Sequence, residues 1–247
     1  KIEKIQALIK FKLISTVRAL QSIFDGAHYY TRQEETESEV LFVSHLTNRR
    51  QILKDNDAYF GDLPNQLLQN GISNSIVLIN HAKVSKKQVL EGWSDSKIQR
   101  FILSSSLNFI SEVSTYFSQL KSKRQLKSIL KGLQIDEVLA QDILNNQLSS
   151  NTFNALRVAR QVTDIARKTN AKFIVTTYEG HAWERLVFCY AREFNPNIKC
   201  LSYQHAAVFK HQHAIKRPLN KKYNPDVILT SGLTGKDIFK QGQLQGT

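Results

Sequence analysis

The sequence predicts an α/β fold: a Rossmann-like parallel sheet flanked by helices, with an inserted helical layer. Three observations carry that expectation. Short apolar, β-rich runs recur at residues 40–44, 75–79, 173–177, 198–202 and 226–230, with the near-continuous hydrophobicity of strands buried on both faces. Helical patterns, rather than hairpin turns, separate them, as parallel pairing requires. Each run also empties into a loop rich in His, Asn, Glu or Gly.

Composition sets the outer bounds. A chain of 247 residues, 41% hydrophobic and 22% charged, has the ordinary balance of a globular protein and can bury a substantial core. No apolar run approaches the length of a bilayer span, and no signal peptide is visible. The expected location is therefore cytoplasmic. Two cysteines, Cys189 and Cys200, do not make a disulfide framework and suit a reducing compartment. A net charge of +13 favours polyanionic partners, whether nucleic acid, phosphorylated sugars or an anionic membrane face, without choosing among them. A generally basic, solvated surface is the plain alternative. The chain starts at Lys1 and contains no methionine, which points to a fragment of a longer protein.

In chain order, residues 1–24 read as a basic amphipathic helix with Ile2, Ile5, Leu8, Ile9, Leu13, Val17 and Leu20 largely on one side. Such a helix either packs on its own domain or lies at the inner face of the plasma membrane as a peripheral contact. Residues 25–38 are polar and read as a linker, so 1–38 precede the domain proper. The first strand, 40–44, releases His45 to Arg50. Pro64 opens a short helix that Asn70-Gly71 closes, and the second strand, 75–79, releases Asn80-His81. From 94 to 168 the pattern is helical almost throughout, with Ile98, Phe101, Ile102, Ser105, Phe109, Val113 and Phe117 on one face. This stretch reads as the inserted layer within a domain spanning 39–247. Its basic run, 121–127, reads as a solvated face. Asn170 ends the last of these helices, and the strand at 173–177 follows.

The stretch after that strand is the densest in chemistry: Tyr178-Glu-Gly-His-Ala-Trp-Glu-Arg185. Ala182, Trp183, Leu186, Val187, Tyr190, Ala191 and Phe194 then recur at helical spacing. In open α/β sheets ligands sit beyond the carboxyl ends of the strands. A parallel sheet would deliver to that edge His45, Asn48 and Arg49, then Asn80 and His81, then Glu179, His181 and Arg185, then Gln204 and His205, and last Ser231. Four of the seven histidines fall there. Each alone is more often a hydrogen-bonded structural group, but their concentration points to a site.

Three chemistries fit these residue types. His205, His211 and His213 have ligand-like spacing, but no cysteine joins them and no rigid strand is indicated, so no metal site is expected. Glu179, at a strand end beside Trp183 and Tyr178, suits acid/base catalysis. The alternative is that it pairs with Arg185 or caps the following helix. Anion binding by that helix start, with His181, Arg185, Lys216 and Arg217, is the third. Patterns for a P-loop, a dinucleotide fingerprint and a Ser-hydrolase elbow are absent from the sequence.

The segments Tyr178-Glu-Gly-His-Ala-Trp-Glu-Arg185, Tyr203-Gln-His-Ala206, Gln212-His-Ala214 and 223–232 (YNPDVILTSG) together resemble bacterial surface carbohydrate biosynthesis proteins of the O-antigen and capsule type. These look like GT-B glycosyltransferases, as in Kdo- and sialic-acid-transferring enzymes. The match covers roughly 172–240. It implies a GT-B amino-terminal, acceptor-side domain, with the carboxyl-terminal donor domain missing from this chain. It further implies transfer of a sugar from a nucleotide-sugar donor to a glycan or lipid-linked acceptor, with no bound cofactor. Glu179 is the implied general base, with His205 second. His181, Arg185, His213 and Arg217 would orient the acceptor or meet the donor's charge, and with His45, Arg49, His81 and Gln204 from the strand ends they make the expected substrate-binding set. The competing class is a non-catalytic basic module that holds RNA or anionic glycan. RNA binding favours aromatics interleaved with basic residues on an exposed sheet face, whereas Trp183, Tyr190 and Phe194 follow helical core spacing, so no specific nucleic acid is expected.

Overall fold

The computed structural model describes residues 13, 16–23, 28–32, 34–93, 96–209 and 212–241. Leu13 and residues 16–23 are helical; the rest of the expected amino-terminal helix, and 25–27 and 33 of the expected linker, lie outside the described residues. No helix among the described residues is long and apolar enough to cross a membrane.

Among the described residues seven strands form one sheet: β1 (Tyr29–Thr31), β2 (Val40–Leu46), β3 (Asn74–Asn80), β4 (Gln99–Leu103), β5 (Phe173–Thr177), β6 (Lys199–Gln204) and β7 (Val227–Thr230). Their spatial order is β1-β4-β3-β2-β5-β6-β7. All neighbours pair in parallel except β1, which lies antiparallel on β4 with Tyr29 opposite Leu103. Numbered among themselves in chain order, the six parallel strands run 3-2-1-4-5-6, the doubly wound order of Rossmann-like folds. The α/β, mostly parallel architecture expected from the strand runs is therefore present.

Two strands escape a reading by pattern. β4 lies inside the stretch 94–168 that reads as helical, because Ile98, Phe101, Ile102 and Ser105 happen to fall at spacings of three and four. Its first two residues, Gln99 and Arg100, are polar yet buried. Gln99 donates to the Glu34 carbonyl, and Arg100 donates to Ser96 and to the Asp55 carbonyl. Buried polar groups are tolerated when they are bonded in this way. The helical part of the insertion begins only at Phe109. β1, inside the expected linker, is three residues long and, among the described residues, pairs with β4 alone.

The compact unit that contains the sheet comprises residues 29–103 and 158–247. Alternation along β2 divides its core into two layers. Leu41 and Val43 pack with Val162, Ile165 and Ala166 of the Ser150–Lys168 helix and with Val187, Phe188 and Ala191 of the Ala182–Phe194 helix. Val40, Phe42 and Leu46 pack on the other side with Ile76, Leu78, Phe60, Val89 and Ile102. Asn170 takes a left-handed φ of 55° after the first of these helices, and Ala171 N–H returns to the Ala166 carbonyl at 2.9 Å. That closure turns the chain directly into β5.

A second compact unit comprises residues 1–28 and 104–157. It includes the helices Phe109–Gly132 and Glu137–Asn146, capped by Asn108 and Asp136 side chains. Lys121, Arg124 and Lys127 are exposed on the first helix. Within this unit the Arg157 guanidinium donates twice to the Glu112 carboxylate, at 2.6 and 2.8 Å, with both side chains under 5% exposed. Glu112 Oε1 also accepts the Leu107 N–H at 2.9 Å. Removing one partner of such a pair strands a buried charge. Arg157→Met is expected to lower unfolding stability by about 3–5 kcal/mol, and Glu112→Leu in the same chain to restore most of the loss. Urea denaturation of the two variants measures both.

Candidate active site at the sheet switch point

Strand order reverses between β2 and β5, so the loops that leave these strands part and open a crevice at their carboxyl ends. His45 stands near the end of β2, bonded through Nε2 to Thr177 Oγ1 of β5 and through Nδ1 to His81 Nε2 after β3, both at 3.0 Å. Three separate strand ends are thus joined by side chains across the switch point.

The turn after β5 supplies the carboxylate. Gly180 adopts φ +83°, where L-residues are strained, and a Cβ there would lie 2.6 Å from Ala214 C and 2.7 Å from Ile215 Cα. Glu184, in the first turn of the following helix and fully buried, accepts the N–H groups of Glu179, Gly180 and His181 at 2.8–2.9 Å. Burial pushes its carboxyl up to about 8, while the three N–H donors and Arg185 oppose that push. Capping of this helix therefore belongs to Glu184 and not to Glu179.

Arg185 does not pair with Glu179 either. Its guanidinium is buried, lies over the Tyr178 ring, and donates to Asn224 Oδ1 at 2.6 Å and to the Arg217 carbonyl at 3.2 Å. It ties the 213–224 segment to the turn, a structural task in place of the ligand contact expected of it. The Glu179 carboxylate instead meets His181 Nε2 at 3.0 Å through Oε2 and His205 Nε2 at 3.4 Å through Oε1. The Glu179 side chain is 39% exposed, open enough to be reached from solvent. His205 is more enclosed, and its Nδ1 is buried with no hydrogen-bond partner among the described residues.

Aromatic rings complete the crevice. Tyr59 packs edge-on to His205 at 4.8 Å between centroids and tilts against His45 at 5.2 Å, while Trp183 meets His45 edge-on at 5.5 Å. Tyr59 is held by Asp57, whose Oδ1 accepts the N–H groups of Tyr59 and Phe60 and the Ser44 hydroxyl at 2.8–2.9 Å. No sequence pattern singles out Tyr59, Thr177 or Asp57. The polar run 54–57, followed by Gly61 with its left-handed φ of 60°, is the available signal for a folded loop.

The remaining expected residues divide. His45, His81, His181 and His205 come together with Glu179, as described. Arg49 is exposed at the start of the Arg49–Leu53 turn, which Asn48 and Gln51 cap. His213 and Arg217 are exposed on the segment that packs on Gly180. Gln204 is buried at the end of β6. His211, in the ligand-like run of histidines, lies outside the described residues. Among the described residues, no group of three or more His, Cys, Asp or Glu side chains is placed to hold a metal ion.

Neither protein-family models nor curated proteins give a match to this chain. Among solved structures, a hydrogen sulfide-producing enzyme (Fn1220) from Fusobacterium nucleatum aligns at 12% identity, with a TM-score of 0.24, over 87% of this chain. The chain spans 66% of that protein's length. A likeness of this degree carries no functional argument.

Burial, then the neighbouring His81, holds the His45 imidazole down to about 4, against the opposing pull of Glu179. An unfolded chain binds a proton here near 6.5, whereas the native state does so only near 4. Stability owed to His45 is thus intact above about pH 6.5 and falls as pH drops towards 4, by at most about 1.4 kcal/mol per pH unit. Urea melts of the wild type and His45→Gln between pH 4 and 7.5 are expected to show a steeper acid loss in the wild type.

Proposed function

We propose that this chain is the acceptor-side half of a GT-B-type glycosyltransferase, moving a sugar from a nucleotide-activated donor to a surface glycan or lipid-linked acceptor. One observation carries the reading: the Glu179 carboxylate stands at the switch-point crevice between two imidazoles, relieved of helix capping by Glu184 and of pairing with Arg185, which is bonded to Asn224. A carboxylate so placed, and reachable from solvent, suits a general base.

In this mechanism Glu179 takes the proton of an acceptor hydroxyl as its oxygen bonds to the anomeric carbon of the donor sugar. The bond from that carbon to the leaving phosphate oxygen breaks in the same step. His181 orients the carboxylate, and His205, with one ring nitrogen on Glu179, orients it from the other side or carries the proton onward. The faces of Tyr59 and Trp183 offer flat apolar surface to the acceptor ring. Arg49, His213 and Arg217, exposed around the crevice loops, meet the charge of the donor's phosphates, which a following domain would present. No bound cofactor enters this chemistry. The nucleotide sugar is a substrate.

The test uses the longest form of the protein, assayed against a panel of nucleotide-sugar donors. Glu179→Gln keeps the shape and removes the base, and turnover is expected to fall by about 10²–10⁴ with acceptor affinity little changed. Near-normal turnover in that variant removes the assignment.

A further inference from the structure

The helix Phe109–Gly132 carries its polarity the wrong way round. Its buried residues are Glu112, Thr115, Gln119 and Leu130, and the polar three are all bonded within their own compact unit. Glu112 pairs with Arg157, the Thr115 hydroxyl donates to the Ser111 carbonyl at 2.6 Å, and Gln119 Oε1 accepts the Gln147 amide at 2.8 Å. Ile110, by contrast, is 79% exposed and Phe117 63%. At 3.6 residues per turn, Ile110, Phe117, Lys121 and Arg124 fall within about 60° of one another, on the side opposite the buried four. A surface helix ordinarily turns its apolar stripe to the core. Here hydrogen bonds satisfy the inward side and large apolar groups point out. Ile129 and Leu133 at the end of the helix, and Val138 and Leu139 in the next one, are each more than half exposed as well.

The charge on this helix has one sign at the surface. Lys121, Lys123, Arg124, Lys127 and Lys131 lie along it, and its one acid, Glu112, is buried and paired. The exposed acids Asp136 and Glu137 come after its end, where Asp136 caps the helix that follows. A face that sets outward Ile and Phe beside a row of cations is complementary to a surface that is apolar beneath an anionic layer. The groups from Ile110 to Arg124 stand on a convex helix and spread over about 20 Å. A protein partner would need a matching groove to receive them, whereas a fluid lipid surface conforms to them.

We propose that the helix Phe109–Gly132 lies along an anionic lipid bilayer. Ile110 and Phe117 enter the boundary between headgroups and acyl chains, and Lys121, Arg124, Lys127 and Lys131 meet the lipid phosphates. The basic run 121–127, which reads from sequence as a solvated face, is then the charged part of a lipid contact. This surface is separate from the amino-terminal helix, the one segment whose sequence pattern suggests a membrane contact. It stands whether or not the chain transfers a sugar.

Co-sedimentation of the full chain with large unilamellar vesicles tests this. Binding is expected to phosphatidylcholine vesicles that contain about 30% phosphatidylglycerol, weakened by added salt and about tenfold or more weaker on pure phosphatidylcholine. Ile110→Ser with Phe117→Ser changes only exposed side chains, so the melting temperature should hold while vesicle affinity falls by about tenfold or more. Lys121→Gln with Arg124→Gln is expected to cost about twentyfold on the anionic vesicles and little on the neutral ones. In Phe117→Trp, fluorescence should shift to the blue on adding anionic vesicles, beyond any change in the wild type. Absence of binding to the anionic vesicles, or undiminished binding in the two double variants, would overturn the proposal. So would a concentration-dependent dimer, seen by sedimentation velocity, that Ile110→Ser with Phe117→Ser abolishes, because a second copy would then cover this face.

Discussion

Gly180 meets the peptide joining Ala214 and Ile215 at a separation that no side chain would permit, and it does so with a left-handed φ. Glycine alone satisfies both demands. The contact brings the 213–217 segment onto the turn after β5, and the neighbouring interactions assume that it is there. Tyr178 is buried with its hydroxyl directed at the Ile215 carbonyl, Arg185 reaches across to Asn224 and Arg217, and the Gln212 amide donates to the Glu179 carbonyl. Glu184 holds the turn from the opposite direction through three backbone N–H groups. Glu179 sits on a turn fixed from both sides, and its own side chain is left for other work.

The electrostatics of the crevice follow from that fixity. Four imidazoles and one carboxylate share the switch point, on a chain whose overall balance is +13. If all four rings were charged the site would repel itself, so burial of His45 against Thr177, Tyr59 and Trp183 matters. It keeps one ring neutral at ordinary pH and leaves Glu179 to the two histidines nearest it. A neutral His45 also acts as a link, because its two ring nitrogens tie β5 to the loop after β3.

The histidines, Glu179 and the strand ends that bear them were legible as types and places, because a parallel sheet obliges every strand to deliver its loop to one edge. What each side chain touches was not. Glu179 and Glu184 are both carboxylates near one helix start, and either could cap it by pattern. The helix geometry selects the residue at the third position and frees the other. Arg185 looked like an anion ligand by charge and is instead consumed by carbonyls 32 and 39 positions along the chain. Tyr59 had no motif at all, since its placement depends on Asp57 folding a loop over β2.

By itself the sequence determined the class of fold, five of the seven strands, the carboxyl-end location of the histidines and the glycine that the central turn requires. These follow from local rules: alternation and continuity of apolar residues, capping chemistry, and the restricted φ of residues with a Cβ. Only the tertiary structure decided that 99–103 is a strand, that 29–31 adds an antiparallel edge, and which side chains pair within the crevice. β4 carries a polar start whose burial becomes tolerable once Glu34, Ser96 and Asp55 arrive from elsewhere in the chain. Such compensation is non-local, and no window of sequence contains it.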